Sequence, residues 1–153
     1  EGVLPFETQS QIAVRYAETD RMGVVYHANY LVWMEVGRTD YLAALGFPYG
    51  QLEENGVLFP LCETSMRLFR PSYYEDRLVV VTRLARLQSR KVVFEYRVLK
   101  GDELVVSGVT EHICTDRQMK VRKIPEDLHR TLSQAMDGAD GMTAEKYRVS
   151  PGQ

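Results

Sequence analysis

The chain has 153 residues, 44% of them apolar and 26% charged, a globular composition long enough to bury a core without metal or disulfide staples. Its 19 Lys and Arg against 21 Asp and Glu leave a net charge of -2, which removes any general attraction to nucleic acid and requires a basic partner site to be local. No apolar run approaches the ~18 residues of a membrane helix, and the opening EGVLPFETQS has neither the basic nor the apolar region of a secretory signal, so no stable membrane insertion and a cytoplasmic location are expected. Cys62 and Cys114 lie far apart without a CxxC spacing and read as buried free thiols. With three scattered His residues, no metal centre is expected.

Ile12, Val14 and Tyr16 alternate with Gln11, Ala13 and Arg15, which predicts a strand over Gln11–Tyr16. Asp20 and Gly23 make the next stretch, Glu18–Gly23, a turn. A long helix is predicted from Tyr30 to Leu45, with Asn29 as N-cap, Gly46 as its stop and Pro48 barring continuation. Leu31, Trp33, Met34, Tyr41, Leu42 and Leu45 give it a wide apolar arc, so it should be mostly buried. Gly37 in its middle costs up to ~1 kcal/mol relative to Ala, which close approach of another backbone would explain. Glu35 and Arg38 have the i,i+3 spacing of a pair that orients the helix.

A short helix is predicted near Tyr49–Asn55, after which the period changes to two. Strands are predicted over Leu61–Phe69, Leu78–Leu87, Lys91–Lys100 and Leu104–Thr115. Phe94, Tyr96 and Val98 alternate with Glu95, Arg97 and Leu99, the pattern of a half-buried antiparallel strand. Gln88–Arg90 and Lys100–Asp102 are short enough to be hairpin turns. Pro125–Ala135 predicts a last helix, and the Gly- and Asp-rich stretch 137–153 reads as a flexible tail behind one domain, 1–136. Strand, long helix and four strands make an α+β arrangement, an antiparallel five-stranded sheet wrapped around a long central helix. Uncovered edges and apolar faces then invite a homodimer or a dimer-of-dimers tetramer.

The densest polar cluster outside regular structure runs from Asp20 to Tyr30. It holds a carboxylate just after a strand, a Gly at which the backbone turns closely, and a helix start whose first N–H groups have no partner inside the helix. Such donors suit a carbonyl oxygen gaining charge, and a carboxylate facing the same carbonyl can attack it or deprotonate a water. The combination suits hydrolysis of an activated acyl group. Taken singly, Asp20 in T-D-x-x-G also fits a turn former, and His27 a packed or capping residue.

The stretch Val14–Leu45, above all Asp20, Gly23, Val25, His27, Asn29, Tyr30, Glu35 and Arg38, resembles the acyl-CoA thioesterases of the 4-hydroxybenzoyl-CoA thioesterase type in the hotdog superfamily. Within them it is most similar to the bacterial Tol-Pal-associated acyl-CoA thioesterase subgroup. The likeness covers most of the chain and includes Arg70-Pro71-x-x-Tyr74-x-Asp76, the Ser89-Arg90-Lys91 turn and Thr110-x-His112. The resemblance implies the hotdog fold, a site between subunits, and hydrolysis of acyl-CoA to a free acid and coenzyme A with no cofactor beyond that substrate. It implies Asp20 as nucleophile or general base, and His27 as the residue whose backbone N–H holds the thioester oxygen. Gly23, Tyr26, Asn29 and Tyr30 would contact substrate or shape the loop and helix start. Ser89, Arg90 and Lys91 would take the phosphates of coenzyme A, to which an Arg fork and a Lys charge are suited.

On the residues alone, Arg90 and Lys91 fit a solvated hairpin turn as well, and the basic run Arg117–Lys123 a solvated face. The carboxylate-with-His pairs of hotdog hydratases are not evident. Trp33, Met34, Leu58, Phe59 and Leu61 fit an acyl pocket or a core alike, which leaves acyl length open. The alternative function is a non-catalytic acyl-CoA or small-ligand binding module, or an interaction module, on the same fold.

Overall fold

The alternation that starts at Phe94 forms the middle of a sheet. The computed structural model describes residues 4–138. In chain order these form β1 (Thr8–Ala13), a 3-10 turn (Tyr16–Glu18), α1 (Ala28–Ala44), α2 (Tyr49–Glu54), β2 (Leu61–Leu68), β3 (Arg77–Leu87), β4 (Lys91–Lys100), β5 (Glu103–Ile113) and α3 (Glu126–Asp137). The strands make one five-stranded sheet in the order β1-β3-β4-β5-β2, each pair antiparallel. Phe94, Tyr96 and Val98 are buried, while Arg97 is exposed, as their alternation predicts. The turns at 88–90 and 101–102 join β3, β4 and β5 as consecutive hairpins.

Helix α1 lies across the inner face of this sheet, the wrapped arrangement that the resemblance implies. Its buried positions are Tyr30, Trp33, Met34, Gly37, Arg38, Tyr41 and Leu42, a stripe in which each residue has another three or four positions away. Gly37 sits where the helix meets β3. A Cβ there would collide with Thr82 Oγ1 and stand 3.1 Å from Val80 Cγ1, so the close approach is to side chains of the sheet rather than to a second backbone. Amphipathic α3 buries Leu128, Leu132 and Ala135, and its Ala135 carbonyl accepts the Phe6 amide at 2.9 Å.

Several expectations are corrected. The first strand lies three residues earlier than its apolar alternation indicated, and its inward residues are Thr8 and Ser10. The chain leaves the sheet after Ala13 because the Glu18 carboxylate accepts the Arg15 amide at 2.8 Å and closes the 3-10 turn, which leaves Tyr16 77% exposed. Helix α1 starts two residues early, with His27 at the N-cap. Asn29 sits inside its first turn and donates from Nδ2 to the Glu18 carbonyl at 2.9 Å. The helix is buried along one stripe only, because Val32, Glu35 and Val36 face outward. Glu35 and Arg38 form no ion pair among the described residues, since Arg38 turns into the core. Cys114 is buried as expected but Cys62 is exposed, and both are free. Helix α3 continues through Asp137 to Gly138 at φ 72°; the expected tail lies, from residue 139 on, outside the described residues.

Candidate functional site

The turn after β1 closes through its own backbone. The Gly23 amide donates to the Asp20 carbonyl at 3.0 Å, the Met22 amide to Asp20 Oδ1 at 2.8 Å and the Asp20 amide to the Val24 carbonyl at 2.8 Å. Gly23 has φ +81°, which requires Gly, and a Cβ added there would meet nothing within 4 Å, so the space above the turn is open. Asp20 is half-exposed, and its second carboxylate oxygen takes no donor from the described residues.

Glu18 fastens this turn to the start of α1. Its backbone carbonyl accepts both the Tyr26 amide at 2.8 Å and Asn29 Nδ2 at 2.9 Å. Its carboxylate, on a residue only 6% exposed, accepts the Trp33 indole N–H at 3.0 Å. Sequence reasoning missed this hub, because an acidic residue in a turn carries no spacing signal for a Trp fifteen positions on. Beyond it the backbone amides of His27 and Ala28 have no acceptor among the described residues. The His27 ring is exposed, makes no capping bond and rests against the half-exposed Tyr26 ring at 4.4 Å. At position 27 the fold therefore offers an amide donor rather than an engaged imidazole. Tyr30 lies in the core, 1% exposed, and donates to Ser72 Oγ at 3.0 Å, so it holds the helix start from behind. Burial raises its phenol pKa.

A cavity of about 370 Å³ opens along the outer side of α1 from Ala28 to Arg38. Leu31, Val32, Phe59 and Leu61 give it apolar walls. Of the other acyl-pocket candidates, Trp33 and Met34 are core residues and Leu58 pairs with Thr115 outside the cavity. Asp20 and His27 do not border it within one chain. A buried polar run that the sequence did not reveal contributes Arg38, Thr110 and His112 to its lining. His112 Nδ1 lies 3.0 Å from the Phe59 carbonyl and Nε2 lies 2.8 Å from Thr110 Oγ1, which is 2.7 Å from the Tyr96 hydroxyl. Arg38 donates to that hydroxyl at 3.5 Å. Burial, followed by the charge of Arg38, lowers the His112 pKa to about 4. A larger hollow of about 490 Å³ lies on the outer face of the sheet, where Arg97 pairs with Glu7 at 3.0 Å and Arg83 with Glu95.

The Ser89–Lys91 turn stands apart from that cavity. Ser89 and Arg90 are exposed, and their carbonyls accept the amides of Ile124 at 2.9 Å and Cys114 at 2.8 Å. Lys91 is partly committed, with Nζ 3.4 Å from Glu111 Oε2. These bonds tie the turn to the segment carrying the second basic run. There Arg117 donates to the Glu53 carbonyl at 3.2 Å and to that of Glu54, covering the end of α2. Among the described residues no group of His, Cys, Asp and Glu could hold a metal, and no helix is long and apolar enough to cross a membrane.

The family model of the thioesterase-like superfamily matches residues 14–132. A Bacillus subtilis protein with the provisional name acyl-CoA thioesterase YneP is 40% identical over 133 residues, 84% of this chain and 96% of that protein. The 1,4-dihydroxy-2-naphthoyl-CoA hydrolase of Thermosynechococcus vestitus is 33% identical over 132 residues, 84% of this chain and 90% of that one. The crystal structure of DHNA-CoA thioesterase from Staphylococcus aureus superposes with a TM-score of 0.80 at 32% identity, covering 84% of this chain and 89% of that one.

Proposed function

The chain belongs to the thioesterase-like superfamily, and from that premise we propose that it is an acyl-CoA thioesterase, releasing a free carboxylic acid and coenzyme A. The observation that carries this reading is the Glu18-fastened turn, which ties the segment bearing the free Asp20 oxygen to a helix start with two unsatisfied amides. A thioester carbonyl is already electrophilic. Its oxygen, seated at the amides of His27 and Ala28, would gain negative charge in the transition state, where loss of one such donor costs roughly 3–4 kcal/mol. Asp20 either attacks the carbonyl carbon, forming a mixed anhydride that water then hydrolyses, or takes a proton from the water that attacks it; in both routes the C–S bond breaks and the coenzyme A thiolate leaves.

The working unit is a homodimer, or a pair of dimers, with residues 1–136 as its domain. Support comes from β2, an edge strand exposed along nearly its whole length, and from the outward Val32 and Val36 of α1. A second copy over these surfaces would roof the cavity. The exposed Arg90 guanidinium, with Ser89 and Lys91, takes coenzyme A phosphate outside the cavity. A coenzyme A thioester as substrate fits the expected cytoplasmic location.

The test is thiol release over an acyl-CoA panel, for the native protein and for Asp20→Asn. Turnover lost in the variant while coenzyme A affinity survives is the expected result. Wild-type turnover in Asp20→Asn makes the residue a turn former only and removes the site. Binding without turnover over the whole panel makes the protein a ligand-binding module.

A further inference from the structure

The direction of the buried polar run can be read atom by atom. The Phe59 carbonyl only accepts, so His112 Nδ1, 3.0 Å away, carries the proton. The imidazole is neutral near pH 7, because burial and Arg38 hold its pKa to about 4, and Nε2 is therefore a bare acceptor. Thr110 Oγ1, 2.8 Å from it, donates its single proton there. Its oxygen then accepts from the Tyr96 hydroxyl at 2.7 Å, and the Tyr96 oxygen is left to accept from Arg38. Every proton in the run points away from Arg38. What remains at the Arg38 end is a surplus of donors and no acceptor.

Arg38 is also short of partners. It is 9% exposed, its Nε has no hydrogen bond, and no carboxylate forms an ion pair with it among the described residues. Its polar neighbours are the phenols of Tyr96 and Tyr49, kept neutral by burial even though Arg38 favours their ionisation. Glu35 borders the same cavity, but it is exposed and makes no ion pair with Arg38. A buried guanidinium without a counter-charge is unfavourable, and an oxygen ligand that accepts from it relieves the imbalance. Arg38 borders the cavity, Ala28 with its free amide borders the other end, and the helical rise sets them about 15 Å apart along α1. Between them stand the apolar Leu31, Val32, Phe59 and Leu61, with Glu35, Tyr49, Thr110 and His112 completing the lining.

We propose that this cavity is the acyl subsite and that Arg38 selects a long acyl chain bearing an oxygen at its far end, a terminal carboxylate or hydroxyl, over the plain hydrocarbon chain. This rests on the thioesterase reading. With the thioester oxygen at the helix start, the apolar walls take the methylenes and the guanidinium takes the terminal oxygen. Short acyl groups do not reach it. The carboxylate gains the most, because it answers both the donor surplus and the charge.

Three coenzyme A thioesters of equal length test the proposal: dodecanoyl, 12-hydroxydodecanoyl and the half-thioester of dodecanedioic acid. The native protein should show kcat/KM highest for the carboxylate and lowest for the methyl-ended chain, with a spread of about tenfold or more, mostly in KM. Arg38→Met should collapse that spread, and Arg38→Lys should restore part of it for the carboxylate but less for the hydroxyl. Equal rates for all three in the native protein, or an equal loss on all three in Arg38→Met, overturns the proposal and leaves Arg38 as scaffolding or as the partner of a carboxylate from a second copy. Titration calorimetry of the same three ligands on Asp20→Asn separates the two readings. If the native protein hydrolyses no thioester but the carboxylate still binds Asp20→Asn best, the enzyme reading fails and the subsite stands. Equal binding of all three on Asp20→Asn sinks the subsite even where turnover is normal.

Discussion

The turn at Asp20 and the buried run from Arg38 to His112 are both polar, yet they are built in opposite ways. The turn is exposed, closed by amides a few positions apart, and leaves a carboxylate oxygen and two helix amides free. The run is buried, spans up to 58 positions between Arg38 and Tyr96, and uses every proton within it. Free valences facing open space suit a group that must change its bonding partner during a reaction. Saturated valences in a core fix direction and charge instead, and leave a preference only at the end of the run.

The comparison breaks most sharply at Asp20. Asn at this position keeps an oxygen for the Met22 amide, so the turn and the thermal midpoint should survive while kcat falls by about 10²- to 10⁴-fold, read as thiol release. A fall in kcat accompanied by unfolding would mean that the carboxylate is structural after all. The buried run should answer to acid instead. His112 has its pKa lowered from 6.5 to about 4, so below pH 6.5 the unfolded chain binds a proton that the native chain refuses. Stability therefore falls as pH drops from 6.5 towards 4, by up to about 3 kcal/mol from this residue, and is fully retained above 6.5. Denaturant midpoints at pH 7 and pH 4.5 measure the slope, and His112→Gln should flatten it by that share.

The two regions meet at Glu18, whose carboxylate reaches the buried Trp33 while its carbonyl holds the turn. Glu18→Ala orphans the indole N–H and the Arg15 amide, for about 1–3 kcal/mol of stability, and loosens Asp20, so kcat should fall more than KM changes. Adding Trp33→Phe removes one orphan. The double variant should recover part of the lost thermal midpoint but none of the lost kcat, which would separate fastening from folding.

How much of this was legible in the sequence follows from the range of each interaction. The β4 alternation, the two hairpins and the Asp20–Gly23 turn rest on neighbours a few residues apart, and the pattern displays them. β1 was misplaced because its inward residues are Thr8 and Ser10, so polarity hid the inner face; Ser10 in fact donates to Asp40 of α1 at 2.6 Å. The i,i+3 spacing reads Arg38 as the partner of Glu35 in a pair that orients the helix, although Arg38 shares the stripe of Gly37 and Tyr41, which is the available signal for burial. No such signal existed for the run itself. Phe94 faces Thr110 and Val92 faces His112 only through the β4–β5 register, and Phe59 arrives from a loop before β2. The resemblance named Thr110 and His112 as a motif without saying what they touch.

The smallest effect is expected at the Ser89–Lys91 turn. Arg90→Ala with Lys91→Ala should raise the KM for coenzyme A thioesters by about fivefold, since an exposed charge pair contributes roughly 1 kcal/mol at most. The KM for a truncated pantetheine thioester, which lacks the nucleotide phosphates, should stay unchanged. Arg90→Ala alone should account for most of the rise, because Lys91 already faces Glu111 at 3.4 Å and has less charge to offer. Raising the salt concentration should shrink the difference between the two substrates in the native protein, as screening of an exposed contact requires. Equal effects on both substrates would assign the Ser89–Lys91 turn wholly to its structural bonds with Cys114 and Ile124. The nucleotide would then have to be met by the neighbouring basic run. There Arg117 is spent on α2, but Lys120 and Lys123 are exposed and carry no ion pair among the described residues.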